Sequence, residues 1–298
     1  MIKQRMKLRG SDLVFMIIKN IFLWFWLIIV LYPLVFIVSA SFSEPNSVIA
    51  GKVWLWPVKP TLNGYTTVLG DSQILTGFKN SFIYMFAGTT VNLIMTTLAA
   101  YPLSRQGLRG KSLITVFFIF TMIFHGGLIP TYLIIKDLGL LNTRWAMIIP
   151  VAMSVYNVVI MRTFLQTTIP NEMYEAAALD GCSDFRALFT VAIPLSGPIL
   201  AVLALYYGVG HWNSYFNALI YLNKQEMYPL QIVLRNILIK NTITPQMAAS
   251  FRELVVQQSL IDIMKYSVIV VSSVPVLLLY PFIERFFKKG VMIGALKG

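Results

Sequence analysis

Few side chains in this 298-residue sequence could do chemistry: 12 Asp and Glu together, two His and one Cys. His125 and His211 stand apart from each other and from any acidic neighbour in sequence, a pattern of structural or lumen-facing rings rather than of a paired base and nucleophile. The chain has no Gly-x-Ser-x-Gly element, no metal-ligand spacing and no Gly-rich phosphate loop, so neither a metal ion nor a nucleotide is expected on it. Cys182 lacks a partner for an internal disulfide and reads as a small apolar side chain in a reducing compartment. Two concentrations remain. Residues 171–184, NEMYEAAALDGCSD, hold Glu172, Glu175, Asp180 and Asp184, four of the 12 acids. Residues 206–217 hold Tyr206, Tyr207, His211, Trp212, Asn213, Tyr215 and Asn217. Such a mixture of rings and amides suits a sugar, whose hydroxyls need hydrogen bonds and whose C–H faces stack on rings. The plainer reading is interfacial anchoring by Tyr and Trp and hydrogen bonding between helices by the amides, and it extends to Asn92 and Asn157.

The elements that position these residues must lie in a membrane. Hydrophobic residues make up 57% of the chain and charged residues 12%, about half the charged share of a soluble domain. The net charge of +12 does not imply nucleic acid, because Lys and Arg sit at the ends of apolar runs, where membrane topology places them. Runs near the roughly 17–25 residues needed to cross a bilayer give an all-α integral membrane protein with expected spans at about 20–42, 80–104, 112–135, 145–165, 196–222 and 264–284. The apolar stretch that begins at Ala187 is too long for one crossing, so its start is expected to lie on the surface. Residues 224–265 contain Arg235, Lys240, Arg252 and Glu253; a charge at a helix centre costs about 2.5–3.5 kcal/mol, so this segment is expected to be a loop.

Six crossings put both termini on one side. Lys3, Arg5, Lys7, Arg9 and Lys19, then Arg105, Arg109 and Lys111, then Arg285, Lys288 and Lys289 all fall inside under one orientation. The first apolar run exceeds that of a cleaved leader and is expected to be a retained anchor. The outside segments are then 43–79 and 223–263, and the inside segment is 166–195. In the former, Trp54 and Trp56 read as interfacial anchors.

The acidic stretch lies on that inside segment. Pro170 and Asn171 read as a helix start with Asn171 as N-cap, and Glu172 falls in the first turn, where the helix dipole favours an anion. Gly181 reads as the stop, Ser183 as the cap of a second short helix, and Pro194 as the bend toward the fifth span. The result is a helix-turn-helix on the membrane surface. Its first helix, about two turns long with Ala176, Ala177 and Ala178 in a row, is marginal alone in water. It must be held by packing against something else.

Glu175, Ala176, Ala177, Gly181, Val191, Ile193 and Pro194 together resemble the EAA signature of permease subunits of bacterial ABC importers: Glu-Ala-Ala, three residues, Gly, nine residues, Ile-x-Leu-Pro. Val191 and Ile193 are conservative departures. GGLIPTYLIIKDLGLLNT (126–143), HWNSYFNAL (211–219) and GVMIGALKG (290–298) extend the resemblance to most of the chain. It is similar to the carbohydrate-importer permeases, such as the smaller membrane subunit of the maltose importer, and GGLIPTYL looks like the subgroup for larger, sometimes acidic, oligosaccharides such as uronate oligomers.

The resemblance implies a type I ABC importer permease fold in a bacterial inner membrane, both termini cytoplasmic, surrounded by lipid. It implies four kinds of partner: a second permease, two ATPase subunits that carry ATP and Mg, and an external solute-binding protein probed by the 224–265 segment. It implies a coupling helix with Glu172, Glu175, Ala176, Ala177, Asp180, Gly181 and Pro194 at the ATPase. A tail, Gly294, Ala295, Lys297 and Gly298, would contact the ATPase too. Tyr206, Tyr207, His211, Trp212, Asn213 and Asn217 stand as the substrate path. A proton-coupled carrier is the alternative, but its usual carboxylate within the membrane is missing from the six runs; a membrane-embedded enzyme is a further one, without a recognisable catalytic pair.

Overall fold

The computed structural model describes residues 10–240, 264–278 and 281, and all of its regular structure is helical. In chain order the helices are α1 (Gly10–Ser41), α2 (Pro45–Ile49), α3 (Asn63–Gly70), α4 (Ser72–Ser104), α5 (Lys111–Ile123), α6 (Leu128–Asp137), α7 (Val155–Thr168), α8 (Asn171–Leu179), α9 (Asp184–Ala187), α10 (Ile193–Leu195), α11 (Gly197–Trp212), α12 (Phe216–Tyr221), α13 (Leu230–Lys240) and α14 (Met264–Leu278). The described residues fall into two compact units, one within residues 1–70 and 238–273, the other within 71–237 and 274–298.

In the first unit α1 is apolar on every side and exposes nearly all of its large side chains. A helix hydrophobic all round needs lipid or protein around it. Its C-terminal end is fixed by serines that satisfy an irregular connection: Ser39 Oγ donates to the Leu55 carbonyl (2.6 Å), and Ser43 Oγ donates to the Ser39 carbonyl while accepting from Val58 N–H (3.0 Å). Lys59 pairs with Glu44 at 2.9 Å, and its ammonium holds the Glu44 carboxyl below its ordinary value. Trp54 and Trp56 stay exposed. Tyr266 of α14 meets Phe36 edge to face.

The second unit is built on α4, which starts at Ser72, earlier than the expected span. Asp71 caps it, accepting from the N–H groups of Gln73 and Ile74 at 2.7 and 3.3 Å. Its buried face carries Gly77, Ser81, Tyr84, Gly88, Asn92, Thr96 and Ala100, three or four residues apart. Small and polar side chains at this spacing let helices approach closely where hydrophobic contrast with lipid is lacking. α11 and α7 pack on that face.

The remaining runs are not straight spans. The 112–135 run bends by 110° between α5 and α6, at the glycine pair Gly126–Gly127, and Gly127 has φ +86°. The 145–165 run begins as two 3-10 turns and bends by 52° into α7. The 184–195 stretch meets α11 at 82°, and the 196–222 run breaks again between α11 and α12. Among the described residues, α1 and α4 are long and apolar enough to cross a bilayer singly, and the three bent pairs reach that length together.

Two expectations are corrected. Part of the 224–265 segment is helix α13 rather than loop, with Leu230, Ile232, Val233 and Leu234 buried. Its charges exclude a crossing but not a short amphipathic helix. The glycine at position 77 lets α13 sit on α4, since a Cβ there would lie 3.1 Å from Leu230 Cα, and Leu230 N–H donates to Ser81 Oγ (2.8 Å). Asn171 is not the N-cap of α8: Pro170, with extended backbone, occupies that place and Asn171 opens the first turn.

Candidate functional site: a docking hairpin and a polar chamber

The acidic stretch folds as two helical pieces joined by a tight stop. Gly181 has φ +77°; Cys182 N–H donates to the Ala177 carbonyl (2.9 Å) and Gly181 N–H to that of Ala178 (3.0 Å). This pair of bonds is a Schellman cap, and the left-handed backbone it needs explains the glycine. Ser183 Oγ then accepts from Arg186 N–H at 3.3 Å to start α9. Between α9 and α10 the chain widens into a π turn over Leu188–Ala192. Pro194, two residues on, has no N–H to give the Thr190 carbonyl, and the wide turn accommodates that loss.

Tyr174 ties the hairpin to the helical body, a role the sequence pattern did not reveal. It is the buried residue of α8. The Arg105 guanidinium lies 3.7 Å from its ring centre, the Tyr101 ring is at 6.2 Å, and Tyr101 Oη donates to the Asp184 carbonyl at 2.9 Å. Burial pushes the Tyr174 hydroxyl up, against the pull of Arg105, so the ring is neutral and presents its π face to the cation. Outside this clamp Glu172, Glu175, Ala176 and Asp180 are exposed and Ala177 is half-buried. Beside them Met173, Leu179, Phe185 and Phe189 are exposed, Leu179 by 90%. The anchored helix thus presents acids and uncovered apolar side chains on one exposed surface. Pro194 is exposed also. The tail residues Gly294, Ala295, Lys297 and Gly298 lie outside the described residues.

Replacing Tyr174 by Ala removes the clamp while leaving the exposed face unchanged. The expected result is a protein that still inserts and whose hairpin becomes sensitive to limited proteolysis at Arg186; Tyr174→Phe is expected to keep wild-type resistance, because the hydroxyl is buried without a hydrogen-bond partner. Equal resistance of Tyr174→Ala and wild type would refute the clamp.

A cavity of about 680 Å³ lies among α5, α7, α11 and the breaks that join them, with Tyr206, Tyr207, His211 and Asn217 on its wall. Trp212 and Asn213 are not there. Trp212 follows His211 by about 100° around the helix, which turns it into the α4 interface, against Phe78 and Phe82 at 6.1 and 5.2 Å. Asn213 ends α11 and is exposed. The opposite wall brings Ser154, Tyr156 and Asn157 from the start of α7 and Thr121 and His125 from the end of α5. Asn157 and His125 were visible as polar residues in apolar runs; their convergence was not.

The chamber exists because α7 is broken at its start, and that break is chemically satisfied. Irregular backbone at membrane depth needs partners for its peptide groups. Asn92 Nδ2 donates to the Val151 carbonyl. Ser154 N–H donates to Tyr207 Oη at 3.2 Å, and Tyr207 Oη meets Thr96 Oγ1 at 2.6 Å. The Val151 carbonyl can only accept, so the Asn92 amide nitrogen faces it and Asn92 Oδ1 faces His211 Nε2 at 2.7 Å. His211 Nε2 therefore carries the proton, which leaves its other ring nitrogen as an acceptor. Among the described residues, the cavity wall holds no Lys, Arg, Asp or Glu. It offers neutral donors, acceptors and aromatic faces, groups able to hydrogen-bond hydroxyls and stack on C–H faces without anchoring a formal charge.

Comparison with known proteins agrees with this architecture. Residues 93–291 match the family model described as "Binding-protein-dependent transport system inner membrane component". The chain is 37% identical to Protein LplC of Bacillus subtilis over 91% of its own length and 90% of that protein's. It is also 37% identical to the polygalacturonan/rhamnogalacturonan transport system permease protein YtcP of the same organism, over 95% and 98% of the two chains. Its fold superposes with a TM-score of 0.87 on a chain of a bacterial ABC transporter involved in the import of the acidic polysaccharide alginate, at 32% identity, covering 94% of this chain and 99% of that one. By sequence along most of its length and by fold, this all-α chain belongs to the binding-protein-dependent transport system inner membrane components, and it is a permease subunit of an ABC importer, a transport component rather than an enzyme.

Proposed function

We propose that this chain forms half of the translocation path of an importer of oligosaccharides, acidic ones included, and that the 171–195 hairpin transmits the motion of a cytoplasmic ATPase. The observation that carries the coupling role is the exposed acid and apolar face of α8, held to the end of α4 by Arg105 and Tyr101. A helix fixed to a long rigid neighbour moves it as a body, where a loose loop would absorb the stroke. In this reading Glu172, Glu175, Ala176, Ala177, Asp180, Gly181 and Pro194 sit at the ATPase, with Gly294, Ala295, Lys297 and Gly298 as a second contact.

The assembly comprises a second permease, two ATPase subunits and an external binding protein, in six crossings with both termini cytoplasmic. ATP and Mg belong to the ATPase chains, which perform the hydrolysis. Tyr206, Tyr207, His211 and Asn217 form the near wall of the sugar path, and Ser154 and Asn157 the far wall. Relatives that carry polygalacturonan, rhamnogalacturonan and alginate in their names support an acidic cargo. The uncharged wall fits a path that the cargo passes through, since ion pairing there would slow release.

Uptake into vesicles holding the complete complex and ATP-Mg tests the reading. Galacturonate oligomers are expected to accumulate only with ATP, the ATPase subunits and the binding protein all present. Accumulation without the ATPase would favour an ion-coupled carrier; ATP-dependent uptake confined to neutral oligosaccharides would remove the acidic cargo.

A further inference from the structure

A second concavity, of about 560 Å³, lies apart from the chamber at the hairpin end of α4, with Gln106, Gly110, Lys111, Ser112, Thr115 and Arg162 on its wall. Two of these are cations without an acid. Neither Lys111 nor Arg162 has a carboxylate partner among the described residues. Arg162 Nε is buried with no hydrogen-bond partner, and a guanidinium N–H left so is costly. Lys111 Nζ donates to the Arg105 carbonyl at 3.1 Å, which leaves two of its three N–H donors. The two cations also repel one another: burial first, and then the charge of Arg162, hold the Lys111 ammonium below its ordinary value.

The surrounding backbone adds to this field. The N-cap of α5 is Gly110, which has no side chain to cap the N–H groups of the first turn. These groups and the helix dipole present partial positive charge to the same space. The Ser112 hydroxyl is a further donor. Directly along α5 from the cup, Leu113, Val116 and Phe117 are each about 60% exposed, and no residue of α5 is buried. A cationic, donor-rich cup opening onto an uncovered apolar helix face is complementary to an amphiphile with an anionic head. Basic pockets between membrane helices recognise phospholipid headgroups on this principle.

We propose that the cup binds the phosphate of one anionic phospholipid, with Arg162 and Lys111 supplying the charge, Ser112 and the first turn of α5 further hydrogen bonds, and α5 the acyl-chain contact. Because Lys111 holds the carbonyl of Arg105 and Arg105 covers Tyr174, the lipid sits three contacts from Tyr174 of the hairpin. The binding claim is independent of the transport reading.

Native mass spectrometry of the delipidated importer complex, titrated with phosphatidylglycerol or with phosphatidylcholine, tests it. Wild type is expected to retain one phosphatidylglycerol in preference to phosphatidylcholine, and affinity is expected to fall about fivefold for each cation removed in Arg162→Gln and Lys111→Gln. Arg162→Lys, which keeps the charge, is expected to retain most of the binding and shows that the groove still folds. Excess inorganic phosphate is expected to leave the lipid bound. Displacement by inorganic phosphate would assign the cup to free phosphate and overturn the lipid proposal; so would equal phosphatidylglycerol retention by wild type and the doubly substituted chain.

Discussion

Glu175→Lys is expected to abolish coupled uptake while leaving the chain inserted. Glu175 is exposed on the anchored α8, away from the Tyr174 clamp, so the substitution leaves the fold untouched. In the proposed dock it would face a basic group of the ATPase. Reversing one member of such a pair costs about 2–5 kcal/mol, comparable with the roughly 5.5 kcal/mol needed to drive a two-state permease from 1:99 to 99:1. ATP-dependent uptake should therefore fall more than thirtyfold, with the ATPase either released from the membrane or hydrolysing without transport. The neighbouring test, Gly181→Asp, has a smaller expected effect. A Cβ there meets nothing within 4 Å, so the cost is the left-handed backbone alone, about 1–2 kcal/mol. Wild-type uptake by Glu175→Lys would show that α8 does not dock through this face.

The second large effect is expected at Gly88. A Cβ built there would lie 2.3 Å from His211 Nε2, 2.4 Å from Cε1 and 2.8 Å from Cδ2. These atoms belong to a ring held by Asn92, not to the free end of a flexible chain. Gly88→Ala must then part α4 from α11 or expel the ring, at about 1–3 kcal/mol for overpacking and about 0.6–1.7 kcal/mol for the lost hydrogen bond between helices. Thermal unfolding in detergent should show the loss, and uptake should fall because His211 is part of the chamber wall. Adding His211→Ala to Gly88→Ala should restore much of the stability, since it removes the clash. A double-mutant cycle with no coupling between the two positions would rule out the contact as a determinant of α4–α11 packing.

These two tests address different levels of legibility. The helical hairpin around Gly181 and Ser183 was readable from sequence because caps and stops are local: a left-handed residue needs Gly, and an N-cap needs a short polar side chain, whatever lies around them. The membrane class was legible as well, since 57% hydrophobic content cannot be dissolved in water. The error at Asn171 was of one residue, where Pro170 and Asn171 both suit a helix start.

What the linear pattern did not contain was decided by packing at long sequence separation. Gly88 reads as an ordinary small residue until His211, 123 positions later, is laid on it. The clamp on the hairpin joins Arg105 to Tyr174, and the chamber joins Tyr207 to Thr96 and Ser154. Apolar runs of spanning length hide breaks of 110°, 52° and 82°, because hydropathy counts the cost of burying side chains and not the path of the backbone. Where polar groups of other helices satisfy the freed peptides, the backbone can bend at little cost. Tyr206, Tyr207, His211 and Asn217 line one chamber with residues about 50 to 95 positions away, whereas Trp212 and Asn213, their sequence neighbours, do not. Composition and local caps were thus enough to place this chain in a membrane and to draw its acidic helical hairpin. Tertiary structure alone decided which polar residues face the chamber and what holds the hairpin to it, because those choices depend on which helices satisfy one another's buried groups.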